Sequence, residues 1–431
     1  MRLATAGGAS DIVVKLKSTR TARRALESLA AAAPARTSAG AAGGAMRRLL
    51  AGTQVRSMEP LFPAPSTRRA SAVERMVLSV EEAEDQELAG LNIMRMRDAR
   101  AARDACKMLG DDAAVDYAHP IEERFLMARP AKRSRRRRAS TPPLDPLQNR
   151  QWGLTAIELY QAQAAPGFKE AGDIVVAVID TGVDARHPDL DGILIEEQNF
   201  TSGPLEDTRG HGTHVIGIIA AVRNNRIGIS GTCQSRNIMS LKALGPYDGP
   251  GYYRAIRFAT DNGARIINLS LGGGHDRTED LLIRRAIRSG VVVVAAMGNE
   301  FLDGNPTSYP AAIDGVISVG ASTETDGRAD FSNTGPHIDL VAPGVNILST
   351  VPTYPVDLTR ARDYDSWPGT SMATPFVAAT AALILAKRPQ ATVSRVARVL
   401  REGADRVPGQ SGVSEQFGHG RLNAKRTLAK V

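Results

Sequence analysis

Five apolar runs rich in valine and isoleucine, at residues 174–179, 237–243, 265–270, 291–297 and 313–319, are separated by stretches with helical periodicity. A strand that is apolar on both faces must be covered on both faces. Continuous runs of this kind therefore argue for a parallel sheet between helices. The helical patterns fall at 211–222, 252–262, 278–289 and 371–387. Within the last of these, the apolar residues 376–386 are too few to cross a bilayer and fit a buried core helix. No run of about 18 uninterrupted apolar residues occurs, so no membrane span is expected. Residues 148–431 are thus expected to form an α/β domain around a doubly wound parallel sheet.

The first 128 residues read differently. Strand patterns at 11–17, 76–80, 91–96 and 114–125 and helical patterns at 19–32 and 98–109 give the order β-α-β-β-α-β, a small ferredoxin-like α+β unit. Residues 33–72, built of Ala, Gly, Ser, Pro and Arg with little periodicity, read as a low-complexity insertion. Residues 129–147 contain Arg129, Lys132, Arg133 and Arg135–Arg138, then Pro142, Pro143 and Pro146, and read as a solvated linker. The formal net charge of +8 is concentrated there: +3 falls in 1–128, +7 in 129–138 and −2 in 139–431. Two cysteines, Cys106 and Cys233, exclude a disulfide framework. Arg2, Asp11 and Lys15 interrupt any apolar core of a leader, so no signal peptide is recognised. The expected location is cytoplasmic, or exported from a start site placed elsewhere.

Three polar groups fall where an α/β enzyme exposes chemistry. Asp180 ends the run Val175–Ile179, and ligands of open parallel sheets bind at the carboxyl ends of strands. Asp180 could equally cap the next turn. His211 and His214 open a helix, either as metal ligands at i and i+3 or as one general base and one structural residue. The HExxH pattern is absent and no third ligand stands out, which weighs against the metal. Ser371 opens the apolar helix, either as a plain N-cap or as a nucleophile in the field of the helix dipole. Ala373 occupies the last position of the esterase elbow G-x-S-x-G, arguing against an α/β-hydrolase.

The order Asp, His, Ser is one of the known triad orders. Asp180-Thr181-Gly182-Val183-Asp184, His211-Gly212-Thr213-His214-Val215 and Gly369-Thr370-Ser371-Met372-Ala373-Thr374-Pro375 resemble the three signature segments of the subtilisin-like serine peptidases. The resemblance runs from about Gln148 to Leu422 and implies the subtilisin-like three-layer fold. It implies Ser371 as nucleophile, His211 as general base and Asp180 as the group orienting the imidazole. His214 is structural in that pattern. Asn299, in Ala295-Ala296-Met297-Gly298-Asn299, matches the family's oxyanion-hole residue. Ser270, Leu271 and Gly272 resemble the strand to which extended substrate adds, with Ala296 and Gly298 among the pocket walls. Val115-Asp116-Tyr117-Ala118-His119-Pro120 looks like the last strand of a propeptide, whose tail would lie in the substrate cleft.

A structural calcium is the weaker implication of the resemblance. Asp189, Asn225 and Gln148 would supply side chains, and Ile227 and Ile229 carbonyls, to an ion that takes six to eight oxygens. No cofactor is expected for catalysis. The expected function is a serine endopeptidase that acts on proteins or peptides and is made as a self-processing zymogen. Its own N-terminal domain would serve as intramolecular inhibitor, and cleavage beyond Arg138 would remove the basic run. The alternative is an inactive peptidase-like protein whose run 132–138 binds nucleic acid or an acidic partner. Aromatics at 4% leave few stacking platforms and weigh against nucleic acid.

Overall fold

The computed structural model describes residues 10–17, 44–51, 53–62, 88, 90–112, 114–128, 145–245 and 249–431. They fall into two compact units. One comprises Thr5–Glu123 with Asp276–Leu281, the other Arg124–His275 with Leu282–Val431. The expected boundary at 128 thus moves forward, because Arg124–Ala128 belongs with the larger unit.

In the smaller unit, strands β1 (Asp11–Leu16), β2 (Val55–Pro60), β3 (Leu91–Met96) and β4 (Val115–Pro120) form a sheet in the order β2-β3-β1-β4. Every neighbouring pair is antiparallel. This is the arrangement a β-α-β-β-α-β chain adopts when each crossover returns past one strand. Helix Ala99–Gly110 starts at Asp98, whose side chain accepts the Ala101 N–H. Its buried alanines and Leu109 pack with Ile12, Val14, Met94 and Met96. The insertion reading of 33–72 needs correction, since helix Gly44–Ala51 and strand β2 lie inside it. Met46, Leu49 and Met58 supply enough apolar surface to join the core, and buried Asp112 accepts the Ala45 and Met46 N–H groups at the helix start. The expected strand at 76–80 and helix at 19–32 lie outside the described residues.

In the larger unit, a short strand β5 (Arg124–Leu126) comes first. The main sheet is built from β6 (Val176–Asp180), β7 (Leu194–Asn199), β8 (Ile238–Lys242), β9 (Ile266–Leu269), β11 (Val292–Ala296), β12 (Ile317–Ser322) and β13 (Leu340–Pro343). A further strand, β10 (Leu271–Gly273), follows β9 after one residue and pairs with β5, while β14 (Ile347–Val351) and β15 (Asp363–Trp367) form an antiparallel pair. The seven main strands run in the order β13-β12-β11-β9-β6-β8-β7, all parallel. Helices cover the sheet in the three-layer α/β manner. Helices His211–Ala220 and Thr370–Lys387 pack on each other, the latter also against β9, β11, β12 and β13, while Gly249–Asp261 packs on β6 and β8.

All five expected strands are present. Strand β7 escaped the sequence reading because LIEEQN is a polar edge strand, and β13 because LVAP is four residues long and ends in proline. Helix Thr370–Lys387 is long and apolar enough to span a membrane by composition, yet 89% of it is buried inside the protein. From β6 the chain builds outward to β8 and β7 on one side and to β9, β11, β12 and β13 on the other. Such a reversal opens a crevice at the strands' carboxyl ends. Asp180, Ser270 and Asn299 all lie there, at or just past the ends of β6, β9 and β11.

Candidate active site

Asp180 is the last residue of β6 and is buried. Its Oδ1 accepts the Thr181 N–H and faces His211 Nδ1, both at 2.7 Å. His211 is the first residue of its helix and is fully buried. Among the described residues its Nε2 has no hydrogen-bond partner. An imidazole whose Nδ1 lies on a carboxylate keeps its proton on Nδ1, which leaves the Nε2 lone pair as a base.

Asp207, absent from the sequence expectations, fixes this geometry. Its Oδ1 accepts from Thr181 Oγ1 at 2.8 Å, the Arg209 N–H at 3.1 Å and the Gly210 N–H at 2.7 Å. Its Oδ2 accepts from the Thr213 N–H and hydroxyl at 2.9 and 2.8 Å. One buried carboxylate thus caps the first turn of the His211 helix and clamps it to the end of β6. Burial pushes this carboxyl up, opposed by the donors around it. Gly210 turns the chain into the helix at φ 87°, and a Cβ on Gly212 would collide with the Gly182 carbonyl. The sequence signal for Asp207 was its place three residues before a glycine that opens a helix.

Ser371 is the second residue of helix Thr370–Lys387 and is buried. Its Oγ donates to the Ser270 carbonyl at 2.8 Å, while Ser270 Oγ donates to the Ser371 carbonyl at 2.9 Å. That carbonyl is available because its partner at i+4 is Pro375, which has no N–H. Asn299 is oriented by Thr370, whose N–H and hydroxyl donate to Asn299 Oδ1 at 2.9 and 3.0 Å. The side chain's donor is therefore its Nδ2. Gly298, at φ 104°, donates its N–H to Thr370 Oγ1 at 3.3 Å. Ala296 is the buried last residue of β11.

The groove beside β10 holds the chain's own residues. Strand β5 pairs antiparallel with β10 in the register Leu271↔Leu126, Gly272↔Phe125 and Gly273↔Arg124. The following residue, Met127, is buried, and its carbonyl accepts the Ser371 N–H at 3.1 Å. A Cβ on Gly272 would collide with the Met127 side chain, and one on Gly369 with the Met127 carbonyl. Glycine at both positions is what lets this segment seat. The structure thus gathers Asp180 with His211, and Ser371 with Ser270, Leu271 and Gly272 along the seated segment. Asn299 joins the group through Thr370.

His214 stacks on Trp367 at 4.7 Å between ring centroids, and its Nε2 lies 3.2 Å from the Asp365 carbonyl. Burial, with nearby His211, pushes its imidazole down to about 3. A histidine so held stays neutral and structural.

Of the five residues expected around calcium, Asp189 and Asn225 have their side chains engaged within the loop. Asp189 accepts from Asn225 Nδ2 at 2.7 Å, the Ile229 N–H at 2.8 Å and the Tyr364 hydroxyl at 3.2 Å. Asn225 Oδ1 accepts the Ile227 N–H at 2.8 Å. Asp145 fastens the other side of the loop, accepting from the Asn224 N–H at 2.9 Å and Ser230 Oγ at 2.6 Å. Calcium needs converging oxygens, whereas the groups facing Asp189 are N–H and O–H donors. The Asp189 carboxylate as arranged does not fit the ion. Among the described residues no group of three or more His, Cys, Asp or Glu side chains gathers as a metal site.

The sequence model described as the Subtilase family matches residues 171–420. The chain is 35% identical over 364 residues to the thermophilic serine proteinase of Bacillus sp. (strain AK1), covering 83% of this chain and 82% of that protein. It is 38% identical over 283 residues to subtilisin DY of Bacillus licheniformis, covering 64% and 97% respectively. The crystal structure of fervidolysin from Fervidobacterium pennivorans, a keratinolytic enzyme related to subtilisin, matches with a TM-score of 0.69. That match has 26% identity and covers 97% of this chain and 61% of that one.

Two predictions follow from these surroundings. The hydrogen-bonded Asp189 loop should make thermal stability insensitive to calcium. The melting temperature of the Ser371→Ala protein should agree within about 1 °C with excess chelator and with millimolar calcium, whereas a tightly bound ion at 100 times its Kd would add about 2.7 kcal/mol. A calcium-dependent rise of several degrees would refute it. The second concerns His214. Its folded pKa of about 3 lies below the ordinary value of 6.5, so the unfolded chain takes up this proton first as pH falls. The stability linked to it is full above about pH 6.5 and declines toward pH 3, by at most about 1.4 kcal/mol per unit. Urea unfolding of the Ser371→Ala protein between pH 7.5 and 5 should lose about 2 kcal/mol more than the same protein carrying His214→Gln. Identical pH dependence in the two would exclude this role.

Proposed function

Since the chain belongs to the subtilase family and is a serine endopeptidase, we propose that Asp180, His211 and Ser371 are its triad and that Met127–Ala128 is the bond it cuts in its own precursor. Ser371 Oγ attacks the scissile carbonyl while His211 Nε2 takes the proton and later delivers it to the leaving amine. Asp180 holds the tautomer and stabilises the imidazolium. The Ser371 N–H and Asn299 Nδ2 receive the oxyanion, a task that suits donors fixed in advance on a helix start and a strand end.

The observation that carries this reading is the Met127 carbonyl on the Ser371 N–H, next to an Asp180–His211 pair at 2.7 Å. A carbonyl on that donor occupies one of the two contacts proposed to receive the oxyanion. The Ser371 hydroxyl is turned to Ser270, so attack requires it to rotate toward His211. A segment that fills the groove while the hydroxyl is parked acts as an inhibitor, and we assign that role to the residues preceding Ala128. The cut so placed precedes the basic run, whereas only a cut beyond Arg138 would remove that run from the mature enzyme. Residues 129–138 would remain on the mature enzyme at the first step.

The Ser371→Ala protein should stay a full-length precursor when purified alone, and the first N-terminus formed by the wild type should read Ala128-Arg129-Pro130. Maturation of the alanine variant, or a first cut beyond Arg138, would count against the assignment. In matured enzyme, Asn299→Leu should lower kcat by about 10²–10³ with little change in KM. A KM effect alone would remove Asn299 from the oxyanion site.

A further inference from the structure

We propose that the groove beside β10 selects a cationic side chain, arginine above lysine, at the fourth residue on the acyl side of the bond to be cut. Tyr252 and the Gly274 carbonyl are the groups that read it. The proposal rests on the peptidase reading above and names a substrate class for that site.

Counting back from Met127 along β5, the residues are Leu126, Phe125 and Arg124. The fourth position is therefore filled by the segment's only charged residue. Arg124 lies opposite Gly273, which has no side chain to compete with the arginine stem. It is 7% exposed, and arginine is almost never buried to this degree without dedicated partners. Its Nη1 donates to the Gly274 carbonyl at 3.2 Å. Its guanidinium carbon lies 5.6 Å from the centroid of the Tyr252 ring, within the range over which a ring face attracts a cation. Tyr252 is itself buried, on helix Gly249–Asp261, so the ring is held by the body of the enzyme.

An aliphatic side chain at this position would fill space against the ring but would leave the Gly274 carbonyl without that donor. A site built around a hydrogen bond rejects analogues lacking the donor more sharply than an apolar pocket rejects a size change. Lysine would supply the charge without the planar fork that both donates and lies on a ring face. A carboxylate would meet a carbonyl oxygen and a ring face, both negative.

The test uses enzyme matured from the full chain and internally quenched peptides with the core X-Phe-Leu-Met-Ala-Arg, where X is Arg, Lys, Leu, Ala or Glu. We expect kcat/KM for Arg to exceed that for Ala by about tenfold, with Lys between them and Glu lowest. Tyr252→Leu should lower kcat/KM for the Arg peptide about fivefold and leave the Ala peptide within twofold. A Leu peptide cut as fast as the Arg peptide would overturn the proposal, and so would equal loss on all peptides in the Tyr252 variant. The wild-type series decides the matter even if that variant does not fold. If the Ala and Leu peptides are cut but X makes no difference, this inference fails and the peptidase reading stands. If no peptide is cut, both fail together.

Discussion

One carboxylate holds the active end of this enzyme together. Asp207 receives five donors from Thr181, Arg209, Gly210 and Thr213, and no basic side chain is among them. Strand β6 brings Asp180, and a helix that starts 31 residues later brings His211. An imidazole and a carboxylate work as a pair only if those two elements are fixed to within a fraction of an ångström. Asp207 does this by using the orphan N–H groups of the helix start, which need an acceptor in any case. Glycine at 212 then allows the helix to approach the strand end closely enough for the pair to form.

Ser371, the proposed nucleophile, is anchored by a comparable use of backbone chemistry. Pro375 removes an N–H from its helix, the Ser371 carbonyl is left for Ser270 Oγ, and the Ser270 carbonyl takes the Ser371 hydroxyl. The end of β9 is thereby coupled to Ser371, and β10, one residue further, is the strand that receives the extended segment. Seating of a peptide and position of the attacking oxygen are set by the same few residues. This explains how the chain's own segment can occupy the groove with its carbonyl on the Ser371 N–H while the hydroxyl points aside.

The parallel sheet and the segments proposed to carry the triad were legible because their signals are local. Apolar runs announce doubly covered strands, and Asp180, His211 and Ser371 each sit in a short segment of fixed composition. What escaped depended on partners distant in sequence. Asp207 lies in a polar loop and gains meaning only when the end of β6 folds over it. Strand β7 is polar because it is an edge, and helix Gly44–Ala51, only eight residues long, is too short to stand out from its Ala- and Gly-rich surroundings. The strand expected at 114–125 contains both β4 and the start of β5, but no periodicity could show that the chain continues onto β10 with Met127 at Ser371. The loop around Asp189 carries residues with the right oxygens for calcium, and only the direction of the Ile229 N–H and the Asn225 amide shows that they bond to each other.

The charge distribution reads differently once the seated segment is taken into account. Most of the net charge of +8 lies in residues 129–138, and a cut at Met127–Ala128 would leave that run on the enzyme rather than on the part released. The same segment brings a buried cation, Arg124, to a groove otherwise lined by glycine, carbonyl and ring face. Arg138 is followed by Ala139-Ser140-Thr141-Pro142, with no Phe-Leu-Met run that would seat as residues 125–127 do. On the proposed reading, the apolar side chains of Phe125, Leu126 and Met127 distinguish the Met127 bond from the bonds of the basic run, where arginine is abundant.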